Sequence, residues 1–275
     1  MYRHRENWLT RMSLSAILVV SLLFIFFPFV WLLMTSLKLP VDAFAMPPVW
    51  IFKPTFDNFV NIFKKGFLAA YWNSTILAIL TTGTTVVLGV PAGYSLSRAR
   101  FRGARAMSSY LLLTRLAPPV AFCIPLYVIY RETHLIDTNI GLTLANLTIT
   151  LPFVVWILSG FFKGIPEELE EAAVIDGCSR MGALMRVALP ISGPGVATAS
   201  ILTLLTAWNQ YFYPLLLGGR NHVTAPLMVQ YFVAFQGQNW GQLAGAGLAV
   251  IFPVLIFTVL AQKSIVQGIM RGAIK

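Results

Sequence analysis

The sequence predicts an all-α membrane protein with six transmembrane helices, and three observations carry that prediction. The 275 residues are 57% hydrophobic and only 11% charged, with a mean hydropathy of +0.74, more apolar than a soluble domain of this length needs. The apolar residues gather in runs of the length a bilayer demands, about 20 residues for a helix that crosses it. None of the ten Asp and Glu residues lies inside one of those runs, the avoidance expected of charge in hydrocarbon.

The first run, 12–37, is uncharged, too long for the core of a signal peptide and followed by no A-x-A pattern, so it reads as a retained helix. The others are 71–97, 107–130 (interrupted by Arg115), 140–162, 191–217 and 244–261, and the whole chain, 1–275, reads as one membrane domain. Orientation follows from Lys and Arg. Segments 1–11, 98–106, 163–190 and 262–275 hold thirteen of them, Arg3, Arg5 and Lys275 included, against six on the other side, Lys64 and Lys65 among them. That excess predicts both termini in the cytoplasm. Of the outer segments, 38–70 carries Pro40, Pro47, Pro48, Pro54 and Trp50 and reads as an ordered interfacial loop. Segment 218–243, with Gly237, Gln238, Asn239 and Trp240, suits hydrogen bonding and stacking against a partner, or ordinary packing of an outer loop.

Several function classes fall away. Cys123 lies in an apolar run and Cys178 in a polar loop, so neither a disulfide framework nor a cysteine metal site is indicated. His4, His134 and His222 lack metal-ligand spacing. The net charge of +10 sits in short loops beside apolar runs, with no basic face interleaved with aromatics, so no nucleic-acid partner is expected. No G-x-x-x-x-G-K-[ST] phosphate loop occurs, and no nucleophile–base constellation stands out. A secondary transporter driven by an ion gradient, the alternative transport class, usually needs an internal repeat and acidic groups in its spans; neither is visible.

The inner loop 163–190 differs from its neighbours. Pro166 suits the first turn of a helix, the glutamates after it complement the N-terminal dipole, and Gly177 suits a left-handed cap. Ile165, Leu169, Ala172 and Asp176 recur at helical spacing, while Glu167, Glu170 and Glu171 point elsewhere. A second short helix fits 179–187, with Pro190 stopping it before the fifth span. A helix pair with a stripe of small residues can seat closely in a partner's groove; a helix lying on headgroups would suffer repulsion between its four glutamates and anionic lipid.

Glu171-Ala172-Ala173, then Gly177, then Val187-Ala188-Leu189-Pro190 resemble the EAA loop of permease subunits of bacterial ATP-binding-cassette importers, agreeing at eight positions over twenty residues. Pro28-Phe29-Val30-Trp31, Ser36-Leu37-Lys38, Pro125-Leu126-Tyr127, Ala207-Trp208-Asn209 and the tail 262–275 resemble the maltose-type carbohydrate branch. Gln210 departs from it, since relatives often carry an acidic residue there. The resemblance implies a type I importer permease fold in the bacterial inner membrane, forming half of a path for a sugar, polyol or sugar derivative. It assigns ATPase coupling to Glu167, Glu170, Glu171, Ala172, Ala173, Asp176, Gly177, Leu184, Leu189 and Pro190. It also implies a second, non-identical permease, two copies of a cytosolic ATPase and an external solute-binding protein. The chain itself would bind no cofactor and catalyse nothing; ATP and Mg would be held by the ATPase.

Polar residues inside the spans complete the reading. Arg115, just before Pro118-Pro119, either satisfies carbonyls freed by the prolines or donates to sugar hydroxyls or an anionic substituent. Trp208, Asn209, Gln210 and Tyr211, midway along the fifth run, either hold a sugar ring or bond the second permease.

Overall fold

The computed structural model describes residues 8–100, 102–234 and 239–273, and every regular element among them is helical. In chain order these are α1 (Trp8–Ser36), α2 (Pro40–Ala43), α3 (Asp57–Lys64), α4 (Phe67–Ser97), α5 (Ala104–Leu113), α6 (Pro119–Glu132), α7 (Asn139–Lys163), α8 (Glu167–Ile175), α9 (Arg180–Ala183), α10 (Leu189–Ile191), α11 (Gly193–Trp208), α12 (Phe212–Leu217), α13 (Ala225–Ala234) and α14 (Trp240–Ala273). A 3₁₀ turn at Thr114–Leu116 follows α5, and a π turn at Leu184–Ala188 joins α9 to α10. Arg3, Arg5, Gly237, Gln238 and Lys275 lie outside the described residues.

Four stretches are long and apolar enough to cross a membrane unaided: Met12–Ser36, Phe67–Ser97, Asn139–Lys163 and Trp240–Leu260. Two bent pairs bring the number to six if each counts as one span. Ala104–Leu116 and Pro119–Glu132 meet at 88°, and Arg180–Ile191 and Gly193–Trp208 at 80°. The run 107–130 is therefore not one straight helix. Pro118 and Pro119 lack amide protons, and Ala117 and Pro118 adopt extended backbone (ψ 126° and 139°). The run 191–217 likewise divides at residues 209–211 into α11 and α12.

The chain forms two compact units. One comprises residues 1–66 and 229–249. Here α1 leaves residues 12–30 exposed throughout, an apolar surface that suits lipid. The segment after α1 is ordered, as its prolines and aromatics suggest. Asn58 Nδ2 donates to the carbonyls of Ser36 (2.9 Å) and Lys38 (2.8 Å), and Thr55 donates to Leu37. Lys38 lies over Trp31, whose ring meets Trp50 edge-on at 5.5 Å.

The other unit comprises residues 67–228 and 250–275. Its centre is the packing of α4 on α7 and α11. Gly93 permits it: a Cβ there would stand 2.9 Å from Cβ of Leu158 and 3.1 Å from the carbonyl of Val155, and small residues let helix backbones approach where the hydrophobic effect is weak. Thr85 and Thr150 share a buried hydroxyl bond of 2.9 Å across the same seam. Val90, Val154, Leu158, Phe162 and Ala199 form the core beside it. At the other end Asp137, in the left-handed region at φ 57°, accepts from the amides of Asn221 and His222 and from His222 Nδ1 at 2.9 Å. Burial pushes its carboxyl up, but these bonds, His222 foremost, hold it below the usual carboxylate range. Asn73 Nδ2 reaches the carbonyls of Asn221 and Val223, and Ser74 Oγ accepts from Ala225 N.

Candidate functional site

Two features of the second unit could carry function, and the first is the hairpin after α7. Pro166 caps α8 from extended backbone, and Glu167, Glu168 and Glu170 occupy its first turn, where negative charge meets the partial positive charge of the helix end. At the other end Gly177 takes φ 93°. Its amide bonds Val174 O at 3.0 Å, and the Cys178 amide bonds Ala173 O at 2.9 Å, the paired closure of a Schellman motif.

The hairpin is rooted in the helical core. Ile165, Leu184 and Ala188 are buried with Val90, Leu158, Phe162 and Ala199, and Leu189 packs against them. Glu170 adds a polar root. Tyr94 donates its hydroxyl to Glu170 Oε2 at 2.7 Å, Arg98 Nε donates to the same oxygen at 3.2 Å, and Arg98 Nη2 pairs with Oε1 while also reaching the carbonyl of Ile165. Burial raises the Glu170 carboxyl, but the bonds from Arg98 and Tyr94 and the charge of Arg98 carry it below the usual range. The outer face is different in kind. Glu171, Ala172, Asp176 and Gly177 are exposed, together with Leu169, Ile175 (85% exposed), Met181 and Met185. Solvent-facing apolar side chains beside small and acidic residues are the features of a contact surface.

The expected coupling residues thus divide. Glu171, Ala172, Asp176, Gly177 and Pro190 are open to a partner, and Glu167 is half-buried with its carboxylate on exposed Arg100. Ala173 and Leu189 are half-buried. Glu170 and Leu184 face inward, at 7% and 1% exposure, so they hold the hairpin rather than meet a partner. The sequence spacing sent Glu170 outward with its neighbours; it turns in because Arg98 and Tyr94 wait beneath it. Pro190, expected to end the second short helix, does not. The chain continues to Ile191 and turns at Ser192. The π turn just ahead, closed by Leu189 N on Leu184 O, widens the backbone where proline cannot donate and would crowd the preceding turn.

The second feature is a cavity of about 580 Å³ lined by Arg115, Ile149, Phe153, Thr206, Asn209 and Gln210, among others. Both helix breaks open onto it. Arg115 sits in the 3₁₀ turn with its guanidinium carbon 3.5 Å from the centre of the Phe153 ring, and among the described residues it makes no hydrogen bond or ion pair. Asn209 spends its Nδ2 on Leu205 O, and Gln210 Oε1 accepts from Tyr211 N. The remaining amide groups and the guanidinium give the cavity several donors over an aromatic wall, a set that suits hydroxyl-rich or anionic solutes. Trp208 is elsewhere. It is 2% exposed, edge-on to Tyr71 at 5.1 Å, with Nε1 on the carbonyl of Val250. Tyr211 meets Phe212 edge-on instead.

Residues that sequence reasoning passed over are Tyr94, Arg98, Phe153 and Thr206. Arg98 counted only towards orientation, and Phe153 looked like any apolar residue of a span. Only the fold brings either to its partner.

The family described as binding-protein-dependent transport system inner membrane component matches residues 85–267. The chain is 32% identical to the sulfoquinovosyl glycerol transport system permease protein of Agrobacterium fabrum, over 96% of this chain and 93% of that one. It is 34% identical to the trehalose transport system permease protein of Mycobacterium tuberculosis, over 90% and 92%. Among solved structures, a bacterial ABC transporter involved in the import of the acidic polysaccharide alginate superposes with a TM-score of 0.79 at 21% identity, covering 96% of this chain and 99% of that one.

Proposed function

The chain belongs to the binding-protein-dependent transport system inner membrane components and is a permease subunit of an ATP-binding-cassette importer, and on that premise we propose how it works and what it carries. The cargo is a carbohydrate or carbohydrate derivative, in keeping with relatives named for sulfoquinovosyl glycerol and trehalose. The chain supplies half of the path and hydrolyses nothing. ATP and Mg are bound by two copies of a cytosolic ATPase, a second, non-identical permease completes the path, and an external binding protein delivers the solute. Both termini, and the hairpin of α8 to α10, lie on the cytoplasmic side, where most of the Lys and Arg residues fall.

The observation that carries this reading is the hairpin's division into a buried root and an exposed face. A lever must be stiff towards what it moves and accessible to what moves it. Ile165, Leu184 and the Glu170–Arg98 pair supply the stiffness; Leu169, Ala172, Ile175 and Asp176 supply the face. ATP-driven movement of the ATPase against that face then shifts α7 and α11, which wall the cavity. Within the cavity Arg115, Asn209, Gln210 and Thr206 hold the solute, with Phe153 as its apolar wall; Trp208 and Tyr211 act from behind, fixing the break that presents Asn209 and Gln210.

Tagged chain, solubilised in mild detergent, should co-purify with a cytosolic ATPase, and the reconstituted complex should hydrolyse ATP faster when a loaded binding protein is added. Recovery of the chain with no ATPase, together with uptake abolished by a protonophore and indifferent to ATP, would replace this reading with gradient-driven transport.

A further inference from the structure

Where α4 ends at Ser97 and α7 ends at Lys163, α5 begins at Ala104. Between these three ends lies a second cavity, of about 490 Å³, lined by Arg100, Arg102, Arg105, Lys163, Ser108 and Trp156, among others. Its size lies within the range of built ligand sites. Its charge is unusual. Arg100 is paired with Glu167, but Arg102, Arg105 and Lys163 have no ion pair or hydrogen bond among the described residues.

All three side chains are exposed, and the local electrostatics favours an anion among them. Lys163 is well placed at the C-terminus of α7, but Arg102 and Arg105 flank the N-terminus of α5, an end that already carries partial positive charge and favours anions. Three cations and a positive helix end therefore converge on one cavity with no carboxylate to spare. An anion held by guanidinium forks and the Ser108 hydroxyl would relieve them together.

The position selects the kind of anion. The cavity opens where two candidate spans leave the membrane, and Trp156, about two turns inside the end of α7, is the residue type enriched at headgroup depth. Exposed apolar side chains continue inward along α5, with Tyr110 and Leu113 64% and 59% exposed, a surface that suits acyl chains. We propose that this cavity is a binding site for the phosphate headgroup of an anionic phospholipid, held by Arg102, Arg105 and Lys163 with its acyl chains along α5. The site abuts the hairpin through the Arg100–Glu167 pair, so its occupancy also bears on α8.

The test uses the complete transporter with Arg102→Gln/Arg105→Gln/Lys163→Gln, and with Arg102→Lys/Arg105→Lys as the variant that keeps the charge. Native mass spectrometry in mild detergent, titrated with phosphatidylglycerol, phosphatidylcholine or glycerol 3-phosphate, reads the binding. The wild type and the lysine variant should retain phosphatidylglycerol in preference to phosphatidylcholine. The glutamine variant should bind it roughly 100-fold more weakly, about fivefold for each basic group. Equal retention by the glutamine variant overturns the site, and so does its loss from the lysine variant. Glycerol 3-phosphate binding as tightly as the lipid would make this a soluble-phosphate site and overturn the lipid assignment. A glutamine variant that keeps its lipid but sheds the ATPase would show that these cations serve a protein contact instead.

Discussion

At the scale of single residues, Glu170 and Arg115 show opposite ways of keeping charge beside a membrane. Glu170 is buried and fully bonded, so its ionised form is what the fold stabilises. Its folded-state pKa lies below the ordinary glutamate value; the pair is therefore fully effective above that ordinary value and weakens as pH falls through the lower, folded one. Glu170→Gln leaves Arg98 half-buried without its counter-charge and should destabilise the complex by about 3 kcal/mol, near the low end for breaking a buried pair. Thermal unfolding at neutral pH reads the loss, and the variant's remaining stability should fall less than the wild type's as pH drops below the ordinary glutamate range. Arg115 has no carboxylate partner among the described residues. A guanidinium in a span is costly unless something compensates it, and here the compensation is one ring face and whatever fills the cavity. Arg115→Gln keeps hydrogen-bond donors and removes the charge. Uptake across a substrate concentration series should show affinity lowered about tenfold, the difference between charge-assisted and neutral hydrogen bonds, while basal ATPase activity and melting temperature hold. A fall in melting temperature with unchanged affinity would make Arg115 structural.

At the scale of elements, the α8 hairpin rests on its cap. Gly177 at φ 93° turns the chain out of α8 and towards α9, and a β-branched side chain resists that region by about 1–3 kcal/mol. Gly177→Val should leave membrane insertion normal yet abolish most of the stimulation of ATPase activity by the loaded binding protein in proteoliposomes; full stimulation would show that the lever tolerates a misaimed tip. This element was legible in the sequence because each of its signals is local: Pro166 before a glutamate cluster, Gly177 at the cap, small residues at helical spacing. What was not legible depends on other elements. Nothing within residues 163–190 says that Glu170 turns inward, since its reason is Arg98 on α4. Nor does Pro190 announce that a π turn will absorb it. In the spans Pro118 and Pro119 lie at the break near Arg115, but the break at Asn209 carries no proline, and an apolar run reads as continuous until packing divides it. From the sequence Trp208 reads either as a sugar platform or as a partner of the second permease; in the fold Tyr71 and the carbonyl of Val250 claim it for the core.

At the scale of the whole molecule, the remaining question is which side faces the cytoplasm. The asymmetry of Lys and Arg argues that both termini do. An impermeant thiol reagent added to intact cells should then label cysteines introduced at Asp57 and Asn239, and leave those at Gly103 and Ser179 unlabelled until the membrane is opened, all on a background where Cys123 and Cys178 are replaced. Labelling at Gly103 in intact cells would invert the arrangement and remove the hairpin from the ATPase's compartment.

The cavity's guanidinium and amide residues are not the residues that form the helical core beside it. Arg115, Asn209 and Gln210 come from places where the helices are interrupted, whereas Val154, Leu158 and Phe162 sit on unbroken α7 and bear the packing. Natural selection can therefore act on the two sets separately. A lineage that duplicates this permease is free to redraw positions 115, 209 and 210 for a new nutrient while inheriting the scaffold unchanged, and a laboratory library confined to those three positions should recover mostly folded, membrane-inserted variants with altered diets.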